Sequence, residues 1–495
     1  MPDASAPDPQ NSDRVTEMTA SSMRPLSDIL ANAPEVKVLE TVGHLSVGVV
    51  DITHDSSRVV DDSIFCCVVG EQQDGHNFAE AAKKLGAVAL LVQRRLEIDL
   101  TQIVVDDVRS SMGFIAAEMF GRPSKKLKVV GVTGTNGKTT TSHFLASILN
   151  QHGWSTTVFG TLSGTRTTPE STDLQRSFVT ELTNGRQAVV MEVSSHAMTL
   201  RRVEGTSFSA TIFTNLGQDH LDFHKTTEEY FAAKARLFSP QFTEVCVVNR
   251  DDVHGSLLVD SLGAEPRIAC TTFGADDATQ VAASANKLSF HWRGEEIQVS
   301  CGGRFNLMNA LAAATAAAEL GVAHRDIARG LAAAGAVPGR FESIEAGQEF
   351  GVIVDYAHTP EALQNVLSAA RELISRNRRV IVVFGCGGER DHSKRSKMGA
   401  VATNFADVVY VTSDNPRNED ARSIIDQILA GVGEARDLQV EVDRRRAIAT
   451  AFSHAKPGDI VVIAGKGHET TQTIGDKDEK FSDADVSREL LRAAL

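Results

Sequence analysis

The sequence predicts an α/β chain of three domains: a small mixed α/β N-terminal domain, a central parallel-sheet domain of the P-loop type, and a C-terminal Rossmann-like α/β domain. Three observations carry this. Short runs of Val, Ile, Ala and Phe recur from residue 128 to residue 464, and each gives way to a polar cluster. Runs that are apolar throughout are the pattern of strands buried on both faces of a parallel sheet. One of them opens into Gly134-Thr135-Asn136-Gly137-Lys138-Thr139-Thr140, and the whole scheme restarts after residue 338, so two such sheets are expected.

The domains are read as 1–24 (a disordered leader), 25–125, 126–337 and 338–495. The leader is rich in Ser, Asp, Pro and Ala and lacks the basic start and apolar stretch of a signal peptide. Met18 and Met23 are alternative starts. In the first domain a strand is expected over residues 64–69, a helix over 78–85 and a strand over 88–92, with Arg122-Pro123-Ser124 as a linker. In the second, strands over 128–133, 188–191, 210–213 and 245–248 run respectively into the Gly-rich loop, Glu192-Val193-Ser194-Ser195-His196, the segment Thr214 to His220, and Asn249-Arg250-Asp251-Asp252. Ala-rich helices over 310–320 and 326–334 follow. In the third, strands over 352–354, 380–384, 408–411 and 460–464 run into polar clusters at 355–360, 385–391, 413–417 and 465–469. Ligands of open α/β sheets bind outside the carboxyl ends of the strands, so each sheet is expected to carry a site.

Composition narrows the function. A net charge of −14 argues against a nucleic-acid binder, which needs a basic face. The six cysteines form no C-x-x-C pair, which suggests neither zinc nor redox chemistry and fits a reducing cytoplasm. No apolar run approaches the roughly 18 residues that span a bilayer, so membrane insertion is not expected.

A Gly-rich turn between a buried strand and a helix aims backbone N–H groups at an anion. Lys138 adds a charge for the outer phosphates, and the Thr139 hydroxyl suits Mg²⁺. The strict phosphate-loop pattern fails at its first glycine, where Val132 stands. Glu192, at a strand end, could bind Mg²⁺ or hold its waters. His220 sits in a polar knot with Asp219. Lys234 falls within a helix expected over 227–238 and shares a face with Tyr230, Phe231, Leu237 and Phe238. On spacing alone the favoured reading is a lysine snorkelling from the edge of that stripe. A lysine kept within it would have to be paired, neutral or modified.

These residues resemble the Mur ligase family. The motifs, in order, are G-T-N-G-K-T-T, E-V-S-S-H, T-N-L-G-Q-D-H-L-D-F-H, Y-F-A-A-K-A-R-L-F, R-F-N-L-M-N, P-G-R-F-E, D-Y-A-H-T-P, G-C-G-G-E-R-D and D-N-P-R. The resemblance covers nearly the whole chain after the leader. It implies a cytoplasmic enzyme of peptidoglycan precursor synthesis, expected to be a monomer, whose central domain is an ATPase. Gly134, Thr135, Asn136, Gly137, Lys138, Thr139 and Thr140, with Asn306, Asn309, Arg340 and Asp355, would bind ATP. Thr139, Glu192, His220 and Lys234 would hold Mg²⁺, with Lys234 converted by CO₂ to a carbamate. Lys138, Glu192, His220 and Lys234 would thus carry catalysis.

Within the family the likeness is to members that add the third residue of the stem peptide. It implies that Ser56, Ser57, Glu71, Gln72, Gln73, Thr167, Thr168, Ser194 and Arg202 bind UDP-MurNAc-L-Ala-D-Glu. Ser57 stands where many relatives have Arg, and Arg166 where some have Asn. The second substrate is read from Asp414-Asn415-Pro416-Arg417. A guanidinium grips a carboxylate by two parallel hydrogen bonds. Meso-diaminopimelate has a distal carboxylate and lysine does not, so Arg417 and Arg390 suit diaminopimelate, with Asp414 and Glu469 for its ammonium. Asn415, Pro416 and Gly465 complete that site. The plainer reading is that Arg417 ties down its own loop through Glu419 or Asp420. A lysine-adding ligase, a folylpolyglutamate synthase and a silent nucleotide-binding regulator are the alternatives.

Overall fold

The computed structural model describes residues 23–70, 72–164, 166–433 and 437–494. The expected leader therefore lies, but for its last two residues, outside the described residues, as does Glu71. The chain divides into two compact units. One holds the residues up to Gly131, with Trp154–Thr211 and Arg236–Glu244; the other holds Val132–Gly153, Ile212–Ala235 and Val245–Leu495.

In the first unit, Val38–Val42 (β1), Asp51–Thr53 (β2), Ser63–Cys66 (β3), Ala87–Val92 (β4) and Thr101–Val105 (β5) form a five-stranded sheet in the order β1-β5-β4-β3-β2. Only β1 is antiparallel. Helix α1 (Val108–Met119) starts at Asp107, whose carboxylate accepts from the Ser110 N–H, a side-chain cap for one of the helix's free donors. Val108, Met112, Ile115 and Met119 of α1 pack on Ile52, Ile64, Leu91 and Ile103.

The next six strands are Lys128–Thr133 (β6), Thr156–Phe159 (β7), Ala188–Glu192 (β8), Ala210–Phe213 (β9), Val245–Asn249 (β10) and Ala269–Phe273 (β11), in the sheet order β11-β10-β9-β6-β8-β7. The pairs β7–β8 and β10–β11 are parallel. Among the helices are α2 (Lys138–Gln151), α3 (Ser171–Thr183), α4 (Ser195–Thr199) and α5 (Thr227–Ala235). A three-stranded antiparallel sheet, Thr279–Ala283 (β12), Leu288–Trp292 (β13) and Glu295–Val299 (β14), was not anticipated. Helices α6 (Asn306–Glu319) and α7 (His324–Ala333) pack on α2. Their closest approach needs Gly330, where a Cβ would lie 2.3 Å from the Ile148 Cα.

The last sheet is built from Glu342–Ser343 (β15), Gly351–Asp355 (β16), Val380–Phe384 (β17), Val408–Val411 (β18), Leu438–Val440 (β19) and Ile460–Ala464 (β20), ordered β15-β16-β20-β17-β18-β19 and parallel except at β15. Helices α8 (Pro360–Glu372), α9 (Ser393–Phe405) and α10 (Ala421–Leu429) cover one face, on Ile353, Val382, Phe384 and Val462. The other face, Val354, Ile381, Val383 and Ile463, is covered by α11 (Arg444–His454) and, beyond the hairpin Thr471–Ile474 (β21) with Lys477–Lys480 (β22), by α12 (Asp483–Ala494). Burial on both faces explains why these strands read as unbroken apolar runs.

Candidate active site

The Gly-rich loop joins β6 to α2 as the sequence predicts. Gly134 has φ 147° and Gly137 φ 86°. Side chains are excluded there on contact as well: a Cβ at Gly134 would lie 1.9 Å from the Thr214 hydroxyl, and one at Gly137 2.2 Å from Asn309 Oδ1. The loop is braced by Asn215, which takes the N–H of Thr135 on its carbonyl (2.9 Å) and that of Asn136 on its side chain (2.9 Å). The Lys138 ammonium donates to the carbonyls of Gly134 and Thr135, both at 2.8 Å. The first turn of α2 has no side-chain cap, so its N–H groups and helix dipole face the loop.

Lys234 is not a snorkelling lysine. It is 1% exposed, its ammonium donates to the Gly134 carbonyl (3.0 Å), and it stands 4.6 Å over the Tyr230 ring. Burial first, then the charge of Lys138, push its amine well below the ordinary lysine range, against Asp219. The helix carrying it is α5 continued by a 3₁₀ turn, Arg236–Phe238. Tyr230 is itself fixed by a 3.0 Å bond to the Thr135 hydroxyl.

His220, with φ 56°, lies 3.4 Å from the Asp219 carboxylate. Burial opposes that carboxylate's charge, but His220, His358, Lys394 and Lys138 hold it below its usual range. His358 Nδ1 contacts the Tyr356 carbonyl (2.9 Å), and burial lowers this histidine to about 4.

Asn306 and Asn309 open α6, linked by a 2.8 Å bond, and the Thr141 hydroxyl of α2 reaches Asn309 (3.4 Å). Arg340 donates to the Thr139 hydroxyl (3.0 Å) and stacks 4.5 Å over Tyr356. Asp355 accepts from the N–H groups of Phe341 (2.6 Å) and Ala357 (2.7 Å). Burial raises its carboxyl to about 6 despite Arg340 and these two donors. The second unit thus gathers the Gly-rich loop, Lys234, Asn306, Asn309, Arg340 and Asp355.

Glu192, at the end of β8 in the first unit, is 1% exposed. Its carboxylate takes the N–H (2.9 Å) and hydroxyl (3.2 Å) of Thr161. A Cβ at Gly160 would come within 2.3 Å of it. Thr168 donates to the Glu192 carbonyl (2.9 Å) and accepts from the Ser194 N–H (3.2 Å), while Ser194 caps α4. Arg202 pairs with Glu170 (2.9 Å), and so do Arg109 (3.1 Å) and Arg166 (3.0 Å). Glu170 and Arg109 were not singled out from the sequence, where neither stands in a motif. Thr167 approaches Thr161 (3.4 Å). Ser56 and Ser57 open a 3₁₀ turn capped by Asp55, and Gln72 and Gln73 are exposed.

In the last sheet, Asp414 to Arg417 follow β18, and Gly465 to Glu469 follow β20. Gly465 (φ 114°) lets the two loops approach, for a Cβ there would sit 2.6 Å from Asp414 Oδ2. The Asn415 amide donates to Glu469 (2.8 Å), and the buried Lys466 ammonium donates to both, at 2.9 and 2.8 Å. Arg417, at φ 52°, donates to the Gly388 carbonyl (2.5 Å). It has no ion pair with Glu419, which is held by the buried Arg395 through bonds of 2.8 and 2.9 Å. Arg390 is exposed in the loop after β17.

Residues 49–122 match the Mur ligase family catalytic domain, 132–317 the Mur ligase middle domain and 339–467 the Mur ligase glutamate ligase domain. A UDP-N-acetylmuramoyl-L-alanyl-D-glutamate--2,6-diaminopimelate ligase of Alkaliphilus metalliredigens is 40% identical over 480 residues, 92% of this chain and 96% of that protein. The chain belongs to the Mur ligase family. A ligase of the same name from Geobacillus kaustophilus is 41% identical over 469 residues, 89% of this chain and 94% of its own length. A solved structure of a protein of that name superposes with a TM-score of 0.68 at 30% identity, covering 95% of this chain and 99% of the other. No helix among the described residues is long and apolar enough to cross a membrane.

Proposed function

We propose that this Mur ligase uses ATP to join an amine of meso-diaminopimelate to the D-Glu γ-carboxylate of UDP-MurNAc-L-Ala-D-Glu, in cytoplasmic peptidoglycan precursor synthesis. The observation that carries this is the loop Asp414-Asn415-Pro416-Arg417, laced to Glu469, in a chain about 40% identical over nine tenths of its length to ligases of that name. In this reading residues 25–125 serve the uridine nucleotide, 126–337 ATP and 338–495 the amino acid, in a monomer.

A carboxylate and an amine do not condense unaided, because the carboxylate lacks a leaving group. Transfer of the γ-phosphoryl group of ATP gives an acyl phosphate; the amine attacks it, a proton is lost and phosphate leaves. The N–H groups of the Gly134–Thr140 loop and the Lys138 ammonium receive the phosphates and offset their charge. Asn306 and Asn309 receive adenine, Asp355 the ribose, and Arg340 a phosphate in place of the Thr139 hydroxyl.

The residues present also fit Mg²⁺. Among the described residues no three His, Cys, Asp or Glu side chains gather as a cage. Mg²⁺ commonly needs only one or two protein oxygens beside substrate phosphates. Thr139, Glu192, His220 and Lys234 as its carbamate would hold it, and it would neutralise charge on the transferred phosphoryl group. The Lys234 amine suits the modification: it is buried, its hydrogen-bond acceptor is a neutral carbonyl, and its neighbour Lys138 is a cation. Adding CO₂ forms the N–C bond, releases a proton and leaves an anion that Lys138 offsets.

Ser56, Ser57, Glu71, Gln72, Gln73, Thr167, Thr168, Ser194 and Arg202 bind the uridine-nucleotide substrate. Arg390 and Arg417 take the distal carboxylate of diaminopimelate, and Asp414 and Glu469 its ammonium, with Asn415, Pro416 and Gly465 shaping the site. The test is phosphate release from ATP with UDP-MurNAc-L-Ala-D-Glu and a panel of amino acids. Release with diaminopimelate well above that with L-lysine is expected; equal release would overturn the reading of Arg417.

A further inference from the structure

One buried ion pair lies directly beneath the amino-acid loops. Arg444 opens α11 and Asp483 opens α12, and both side chains are fully buried. The guanidinium makes two parallel bonds to the carboxylate, Nε to Oδ1 and Nη2 to Oδ2, each 2.7 Å. Two further donors go to backbone: Nη2 to the Ala464 carbonyl (2.9 Å) and Nη1 to the Ser413 carbonyl (3.2 Å). Ser413 immediately precedes Asp414, and Ala464 immediately precedes Gly465. One planar fork therefore ties the ends of β18 and β20, two strands that do not pair with each other because β17 lies between them.

The spacing it sets is tight. A Cβ at Gly465 would displace the Asp414 carboxylate, 2.6 Å away, and Gln472 adds bonds to the Ser413 hydroxyl (3.0 Å) and the Asp414 carbonyl (2.6 Å). Lys466 then crosses the two loops above the pair, from Asn415 to Glu469. A buried ion pair is weak as a source of stability, since an apolar pair of similar volume often does as well. What an apolar pair cannot do is hold two carbonyls at fixed separation.

We propose that Arg444 and Asp483 are a positioning pair, which fixes the distance between the Asp414–Arg417 and Gly465–Glu469 loops and thereby the affinity for the amino-acid substrate. This rests on the assignment of those loops to diaminopimelate made above. Arg444 touches no substrate; it acts through Ser413 and Ala464.

The test uses the full-length R444M/D483L double variant, which removes the charges together, and R444K, which keeps a cation beside Asp483 but cannot reach both carbonyls. Melting temperature, kcat and the KM for each of three substrates are measured. The expected result for the double variant is a folded protein whose KM for diaminopimelate rises about tenfold or more, the scale of effect of a small misplacement. The KM values for ATP and the uridine nucleotide stay within about twofold, and R444K shows a smaller rise in the same constant. An unchanged KM for diaminopimelate in a folded variant overturns the positioning role while leaving the diaminopimelate reading intact. Equal changes in all three KM values, or failure of both variants to fold, overturns it in favour of a purely structural pair. Wild-type protein inactive with diaminopimelate would remove the reading beneath it.

Discussion

The Gly-rich loop after β6 and the Asp414–Arg417 loop after β18 both stand at the carboxyl ends of sheet strands, yet they are held in different ways. In the first, lysine side chains rest on backbone: Lys138 on the carbonyls of Gly134 and Thr135, Lys234 on that of Gly134. In the second, side chains hold side chains, with Asn415, Lys466 and Glu469 in one network and Arg444 with Asp483 beneath it. A loop made of backbone N–H groups suits a phosphate. In the proposed reading, the side chains of the second loop are what select the amino acid.

Four substitutions probe that contrast, in falling order of effect. Lys234→Ala should lower turnover by about a thousandfold or more, since it removes the amine that carries the proposed metal-binding carbamate. Formate should restore part of the activity, and intact-mass measurement on the wild type should show a CO₂ adduct. Activity without any adduct would sink the carbamate. Lys138→Ala should lower kcat by roughly 10²–10³-fold, the usual cost of losing one preorganised charge stabiliser. Stopped-flow phosphate release would measure it, and an unchanged kcat would mean that backbone alone suffices. Arg417→Ala should leave kcat and the KM for ATP near wild type but raise the KM for diaminopimelate about 10–100-fold, the worth of a charge-assisted hydrogen bond. An equal rise for ATP would blur the distinction between the loops.

The smallest effect concerns pH. Burial holds His358 neutral, its pKa lowered to about 4 from the ordinary 6.5. A histidine depressed on folding contributes stability above its unfolded pKa and loses it as pH falls toward the folded value. The melting temperature should therefore drop between pH 6.5 and 4, and His358→Gln should flatten that drop by about 2 °C. A parallel pair of curves would show that other groups govern acid sensitivity.

The same contrast explains what the sequence disclosed. The Gly-rich loop is contiguous, so its strand, glycines and lysine could be read together, and the apolar strands were legible because both faces of each sheet are covered. Lys234 was not: its acceptor, the Gly134 carbonyl, is distant in sequence, and spacing alone favoured a lysine reaching water. The support of the second loop is scattered from Gly388 to Asp483, and no local pattern joins Arg444 to Ser413 and Ala464. Strands β12 to β14 were missed because the reading followed runs that are apolar throughout, whereas Leu288–Trp292 and Glu295–Val299 alternate buried apolar with more exposed polar residues. Arg417 was weighed against a pairing with Glu419 or Asp420; Arg395 holds the first, and the second caps α10 through the Ser423 N–H.

The most direct measurement is the mass of the uridine-nucleotide product after incubation with ATP, Mg²⁺, UDP-MurNAc-L-Ala-D-Glu and an equimolar mixture of meso-diaminopimelate and L-lysine. The expected product is heavier by one diaminopimelate residue, with one phosphate released per product. A lysine-containing product, or phosphate release without a heavier nucleotide, would contradict it.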